Sequence, residues 1–210
     1  MHNEIFKIGP FIIHGYGLMI GIGILFAFYM GEYRAEKKGL NRIFVFDLGM
    51  VSLIGGFIGT RVLYYITEIK NIIADPSILF DFSVGFVVYG GIIGGVLTGF
   101  LYCKIKKMKA INYFDLVMPS VALAQGFGRI GCFLAGCCYG RETSSIIGIT
   151  FKNSDIAPNG IKLFPTQLFS SGGDFLICLI LIIYAKKKRE DGKVAGLYLL
   201  LYSGKSYFHY

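Results

Sequence analysis

The stretch FVFDLGMVSLIGGFIGTRVLYYI occupies residues 44–66, and its only Asp, Glu, Lys or Arg side chains are Asp47 and Arg61, one towards each end. A helix that crosses a bilayer needs about 20 predominantly apolar residues, and this run meets that length with one cation to place. Residues 11–31, 82–103 and 114–135 repeat the pattern, and residues 168–185 form a slightly shorter version. A sixth apolar run, residues 194–202, is too brief to span alone and leads into Lys205, Tyr207, His209 and Tyr210. The reading is an all-α, polytopic transmembrane helix bundle with about 5–6 spans, forming one integral membrane domain over residues 1–210.

Composition agrees. The 210 residues are 54% hydrophobic and 16% charged, with a mean hydropathy of +0.61, more apolar material than a soluble core of this size would bury. The net charge of +8 is dispersed in short clusters between apolar runs rather than along one face or tail, so nucleic acid is not an expected partner. Those clusters report topology, because Lys and Arg concentrate in cytoplasmic loops. Residues 32–43 carry Arg34, Lys37, Lys38 and Arg42; residues 104–113 carry Lys104, Lys106, Lys107 and Lys109; residues 186–193 carry Lys186, Lys187, Lys188, Arg189 and Lys193. These loops are expected inside. The 67–81 and 140–164 loops, poorer in cations, are expected outside, together with the N-terminus. Met1 to Pro10 carries one Lys and no small-residue cleavage motif follows, which reads as a retained first span rather than a signal peptide.

Glycines gather in the second and third spans, at Gly55, Gly56 and Gly59 and at Gly90, Gly91, Gly94, Gly95 and Gly99. Small residues three and four apart let helices pack closely in lipid. No Gly-Lys-Ser/Thr ending accompanies them, so they are not a phosphate loop, and no cofactor is expected.

Ionisable and polar groups inside spans are costly and therefore candidate site residues. His14 and Tyr16 fall near the outer end of the first span, Arg61 near that of the second and Tyr89 in the outer half of the third. Gln125 and Arg129 lie late in the fourth span, and Thr166 and Gln167 open the fifth. Asp47 and Asp115, at inner helix ends, read as N-terminal caps or dipole partners. The carboxylates available to the two arginines are Glu68, Glu142, Asp155 and Asp174; the alternative partner is an anionic lipid phosphate, which a planar guanidinium binds bidentately. Snorkelling to the interface is the other reading for both arginines. Cys132, Cys137 and Cys138 admit three readings: packing at a helix end, thiol chemistry on an oxidising face, and a metal site. Spacing weighs against the last, since no paired Cys-x-x-Cys or nearby His is present, so no metal is expected.

The segment from Gly128-Arg129-Ile130-Gly131 to Tyr139-Gly140, with His14-Gly15-Tyr16-Gly17, Tyr89-Gly90-Gly91 and Pro165-Thr166-Gln167-Leu168, resembles the prolipoprotein diacylglyceryl transferase family in order and spacing from about Ile8 to Tyr202. The resemblance implies a multi-pass enzyme of the bacterial cytoplasmic membrane. Its partners would be phosphatidylglycerol among the membrane lipids and the lipobox cysteine of a preprolipoprotein. The diacylglyceryl group would move to the cysteine thiol and glycerol phosphate would leave. It places Arg129 at the lipid phosphate as the essential arginine, with Tyr16 and Gly140 at positions the family also uses. Arg61, His14 and Gln167 complete the expected phospholipid-binding set, and Tyr89 stands as a catalytic candidate beside Arg129.

The chain departs from the family pattern at several of these positions. Tyr89 stands where the family has histidine, and a phenol is a poor base at neutral pH. Cys132 and Ala135 replace two asparagines, and Cys137-Cys138 replaces the acidic residue before Gly140. Phe164-Pro165-Thr166-Gln167-Leu168-Phe169-Ser170 replaces a more polar His-Pro-Ser-Gln-Leu-Tyr-Glu. The family continues into an Arg-containing stretch and a last span, which are expected to be missing here. These departures keep a second function open, a catalytically impaired relative that binds lipid or a partner, as well as a transferase with a different acceptor. A transporter is disfavoured because no repeated halves are visible.

Overall fold

The computed structural model describes residues 4–8, 11–80, 86–154 and 156–207. An antiparallel hairpin of β1 (Glu4–Ile8) and β2 (Phe11–His14) opens the chain and runs straight into α1 (Gly15–Lys37). There follow α2 (Arg42–Thr67), the short α3 (Ile69–Ala74), a 3₁₀ turn at Pro76–Phe80, α4 (Val88–Ile105) and α5 (Ala110–Ala135). Two-residue strands β3 (Ile149–Thr150) and β4 (Lys162–Leu163) pair in the connection to α6 (Thr166–Tyr184), and α7 (Lys193–Tyr207) follows. The fold is all-α and polytopic: among the described residues, α1, α2, α4, α5 and α6 are the 5 helices long and apolar enough to cross a membrane. Helices suit that solvent because each satisfies its backbone hydrogen bonds within itself. Large apolar side chains such as Leu25, Ile54, Phe57 and Ile58 stand exposed on them, a liability in water and the required surface in lipid.

Three expectations from the sequence change. The first helix begins at Gly15, because residues 11–14 pair with β1 as a strand. Asn41, not Asp47, caps α2: its side chain accepts from the Ile43 and Phe44 amides at 2.9 and 3.2 Å, while Asp47 accepts from the Tyr102 hydroxyl at 3.2 Å. Asp115 caps a helix, but not its own. Its two oxygens accept from the Gly192 and Ala195 amides at 2.7 and 2.8 Å, placing a carboxylate on the positive end of α7.

Contacts divide the chain into two units, Ala35–Tyr113 and the combination of Met1–Arg34 with Phe114–Tyr210. In the first, α2 and α4 meet backbone to backbone. A Cβ added to Gly59 would overlap the Gly90 carbonyl oxygen, and one on Gly94 the Gly55 carbonyl, so only glycine permits this approach. Thr98 Oγ1 donates to the Gly94 carbonyl at 2.8 Å within its own helix and packs over Gly55. Phe44 closes the far end, against Tyr102 and Tyr113.

In the second unit, α5 is the element the others use. Phe127 stacks on Phe26 of α1 at 5.5 Å and meets Phe175 of α6 edge-on at 5.4 Å. Ser171 Oγ donates to the Gly126 carbonyl at 2.8 Å. Ile177, Cys178 and Leu181 of α6 bury Val194 and Tyr198 of α7 together with Ala122. A second, smaller core of Phe133, Phe151, Ala157 and Leu163 holds the β3–β4 connection onto the end of α5.

Candidate functional site

The end of α5 is shaped by one backbone choice. Gly136 takes φ +73°, which lets the chain fold back so that the Gly136 amide donates to Phe133 and the Cys137 amide to Cys132, both at 3.1 Å. That is the left-handed helix stop in which glycine avoids the Cβ clash. The reversal carries Cys137 and Cys138 back beside Cys132, and the three sulfurs lie within 4.8 Å of one another. Cys138 adopts φ +56°, a conformation costly for a residue with a side chain.

The start of α6 holds this turn in place. Gln167, 1% exposed, donates from Nε2 to the Cys137 carbonyl at 2.7 Å, and Thr166 donates from Oγ1 to the Cys138 carbonyl at 2.8 Å. Gly140 donates its amide to the Phe164 carbonyl at 3.0 Å. A Cβ at Gly140 would come within 2.7 Å of that oxygen and of Thr166 Cγ2, so the turn is locked between α5 and α6. The start of α1 completes this end of the unit. Tyr16 covers Gly131, where an added Cβ would lie 3.2 Å from the tyrosine ring and carbonyl and 3.4 Å from Met19 Cβ. His14 is exposed at the end of β2.

Arg129 lies one turn before the cysteines on α5, half-buried and in electrostatic range of Tyr16 and Cys132. Among the described residues its guanidinium makes no hydrogen bond or ion pair; Asp155, one of the carboxylates within its reach in the sequence reading, lies outside them. Burial and the neighbouring Cys132 and Cys138 push the Cys137 thiol up to about 12, so by itself it is a neutral thiol at physiological pH.

Arg61 and Tyr89 belong to the other unit. Arg61 is buried, 6% exposed, with its guanidinium 4.7 Å from the centre of the Phe86 ring, a cation–π placement rather than a snorkelling one. Tyr89 is 75% exposed on the first turn of α4.

Two polar pairs inside the second unit were not expected from the sequence. Lys205 of α7 pairs with Asp174 of α6, which is 1% exposed, and its ammonium also lies 3.5 Å from the Ser170 carbonyl. Tyr198 donates its hydroxyl to Gln125 at 2.9 Å. Asp174 and Gln125 were visible as polar residues within spans; their partners sit on α7, whose apolar run is too short to be read as a spanning element.

Relatives match the sequence over nearly the whole chain. A sequence model for the prolipoprotein diacylglyceryl transferases matches residues 3–207. The phosphatidylglycerol–prolipoprotein diacylglyceryl transferase of Clostridium tetani is 50% identical over 202 residues, 96% of this chain and 81% of that protein. A Clostridium perfringens transferase of the same name, numbered 2, is 48% identical over 198 residues, 93% of this chain and 77% of that one. The Staphylococcus haemolyticus transferase is 33% identical over 211 residues, 97% and 74% of the two chains. With its all-α polytopic fold and the Gly128-to-Gly140 segment at the meeting of α1, α5 and α6, the chain belongs to the prolipoprotein diacylglyceryl transferase family.

Proposed function

We propose that this chain transfers the diacylglyceryl group of phosphatidylglycerol to the cysteine thiol of a prolipoprotein lipobox, at the outer face of a bacterial cytoplasmic membrane with its N-terminus outside. The observation that carries the site assignment is Arg129: a half-buried cation at a helix end, with no anionic partner among the described residues and glycines on both sides. A lipid phosphate supplies the missing anion. The reaction forms a C–S bond between the acceptor sulfur and the glyceryl carbon as the carbon–oxygen bond to phosphate breaks, and glycerol phosphate carries the electron pair away. Charge therefore builds on the phosphate oxygen, and a guanidinium held beside it stabilises that state.

Tyr16 and Gln167 flank this end of the unit and support substrate placement, Gln167 through the Cys137 turn and Tyr16 by covering Gly131. Gly140 serves by its lack of a side chain. His14, exposed at the mouth of α1, is assigned to the lipid headgroup, as is Arg61 within its own unit. Tyr89, exposed at the start of α4, is kept as the catalytic candidate at the position of the family histidine.

Complementation of a transferase-depleted bacterium tests the reading, with lipoproteins followed by mass. A diacylglyceryl-modified precursor is the expected product. Unmodified precursor beside normally accumulating protein would overturn it.

A further inference from the structure

Although their spacing in sequence lacks a paired metal-binding motif, Cys132, Cys137 and Cys138 are brought together in space by the turn at Gly136, with sulfurs within 4.8 Å of one another. A tetrahedral zinc–thiolate site has metal–sulfur bonds of about 2.3 Å, hence sulfurs about 3.8 Å apart. The trio is therefore within about 1 Å of that geometry, a closure that cysteine side-chain rotation supplies. The backbone under it is already anchored, by Gln167 to the Cys137 carbonyl and by Thr166 to the Cys138 carbonyl. Outer contacts of this kind hold ligands in register. Cys138 is exposed and Cys132 and Cys137 are half-buried, which leaves a face open for an ion to enter.

Charge also balances. In the substrate-free chain three thiolates around a divalent ion leave one negative charge, and Arg129 stands in electrostatic range of Cys132 to offset it. Among the described residues no further Cys, His, Asp or Glu joins the cluster. Three protein ligands with a fourth position free is the pattern of a site that binds something else, whereas structural zinc sites close with four.

We propose that Cys132, Cys137 and Cys138 bind one divalent ion of the zinc class as thiolates, leaving the fourth position to the acceptor thiol. The second half rests on the function proposed above. A thiol that coordinates such an ion is deprotonated outright; its proton passes to solvent, and the sulfur keeps the electron pair that forms the C–S bond to the glyceryl carbon. This chain thereby acquires the thiolate-generating capacity that a tyrosine at position 89 supplies poorly.

Cadmium titrated into the reduced, detergent-solubilised full chain reads the site directly, by sulfur-to-cadmium charge-transfer absorption and by thiol counting. The expected result is saturation at one cadmium per chain with three thiols protected, unchanged in C103S/C178S and abolished in C132S/C137S/C138S. Should the triple variant fail to accumulate, C138S alone, at the exposed ligand, is expected to weaken cadmium binding tenfold or more. A band that persists in the triple variant, cadmium affinity unchanged in C138S, or no stoichiometric band in the unmodified chain overturns the site. A peptide with a single cysteine, added to the cadmium-loaded chain, is expected to raise the band by about one third as three thiolates become four, and its serine counterpart to leave it unchanged. No response to the cysteine peptide overturns the open position. These readouts use neither lipid nor transfer. A chain that binds cadmium yet modifies no lipoprotein keeps the metal site and loses the transferase reading; one that modifies lipoproteins without binding cadmium does the reverse.

Discussion

At Arg129 a cation sits half-buried between Gly128 and Gly131 without an ion pair among the described residues, so its removal disturbs little packing. Arg129→Ala is expected to lower transfer by about 100-fold or more, the usual loss for one donor at a developing anion, while membrane accumulation stays near normal; Arg129→Lys, which keeps the charge and loses the planar fork, is expected to recover part of it. Quantitative immunoblotting beside a lipoprotein mass assay separates these outcomes, and equal losses of protein and activity would make Arg129 structural. Gln167 differs because its role lies in the fold. Gln167→Leu leaves the Cys137 carbonyl without its 2.7 Å donor and is expected to cost about 1–3 kcal/mol, seen as earlier thermal unfolding in detergent. The two residues show how unevenly function can be read. Arg129 stood out as a charge in an apolar run and Gln167 as an expected phospholipid-binding residue, but the bond of Gln167 to a turn 30 positions away has no local signature.

Between elements, the sequence was informative where packing follows composition. The paired glycines of α2 and α4 predicted close approach, and the backbones do meet at Gly59–Gly90 and Gly55–Gly94. Gly59→Leu is expected to force the helices apart at a cost of about 1–3 kcal/mol, read as reduced accumulation, with Gly39→Ala as a contrasting loop change that meets no neighbour but strains a positive φ. Pairings set by tertiary position were less legible. The Lys205–Asp174 pair joins α6 to α7 across residues far apart in the chain. Asp174→Ala leaves a largely buried ammonium and is expected to destabilise by about 3–5 kcal/mol, while the double change Asp174→Leu with Lys205→Met is expected to recover most of that loss; a denaturation series over the wild type, the single and the double variant decides it. Asp115 likewise read correctly as a helix cap but for the wrong helix, since a cap serves whichever amides reach it.

For the whole molecule, orientation is the property open to the simplest check. With Lys and Arg concentrated in the 32–43, 104–113 and 186–193 loops, Lys38→Cys and Lys107→Cys in a background without Cys132, Cys137 and Cys138 are expected to resist a membrane-impermeant thiol reagent in intact cells. Ile146→Cys, at a residue 96% exposed in the connection between α5 and α6, is expected to label. The opposite pattern would invert the topology and with it the side on which the site works. The sequence alone determined that this chain is a multi-helix membrane protein and roughly where its helices run, because a bilayer imposes length and apolarity residue by residue and a helix meets its backbone hydrogen bonds locally. Only the tertiary structure decided which polar groups meet: the three sulfurs gathered by the turn at Gly136, the α7 amides on Asp115 and the ammonium on Asp174. Those associations depend on where a chain reversal and a neighbouring helix place side chains in space, and spacing along the sequence does not encode that.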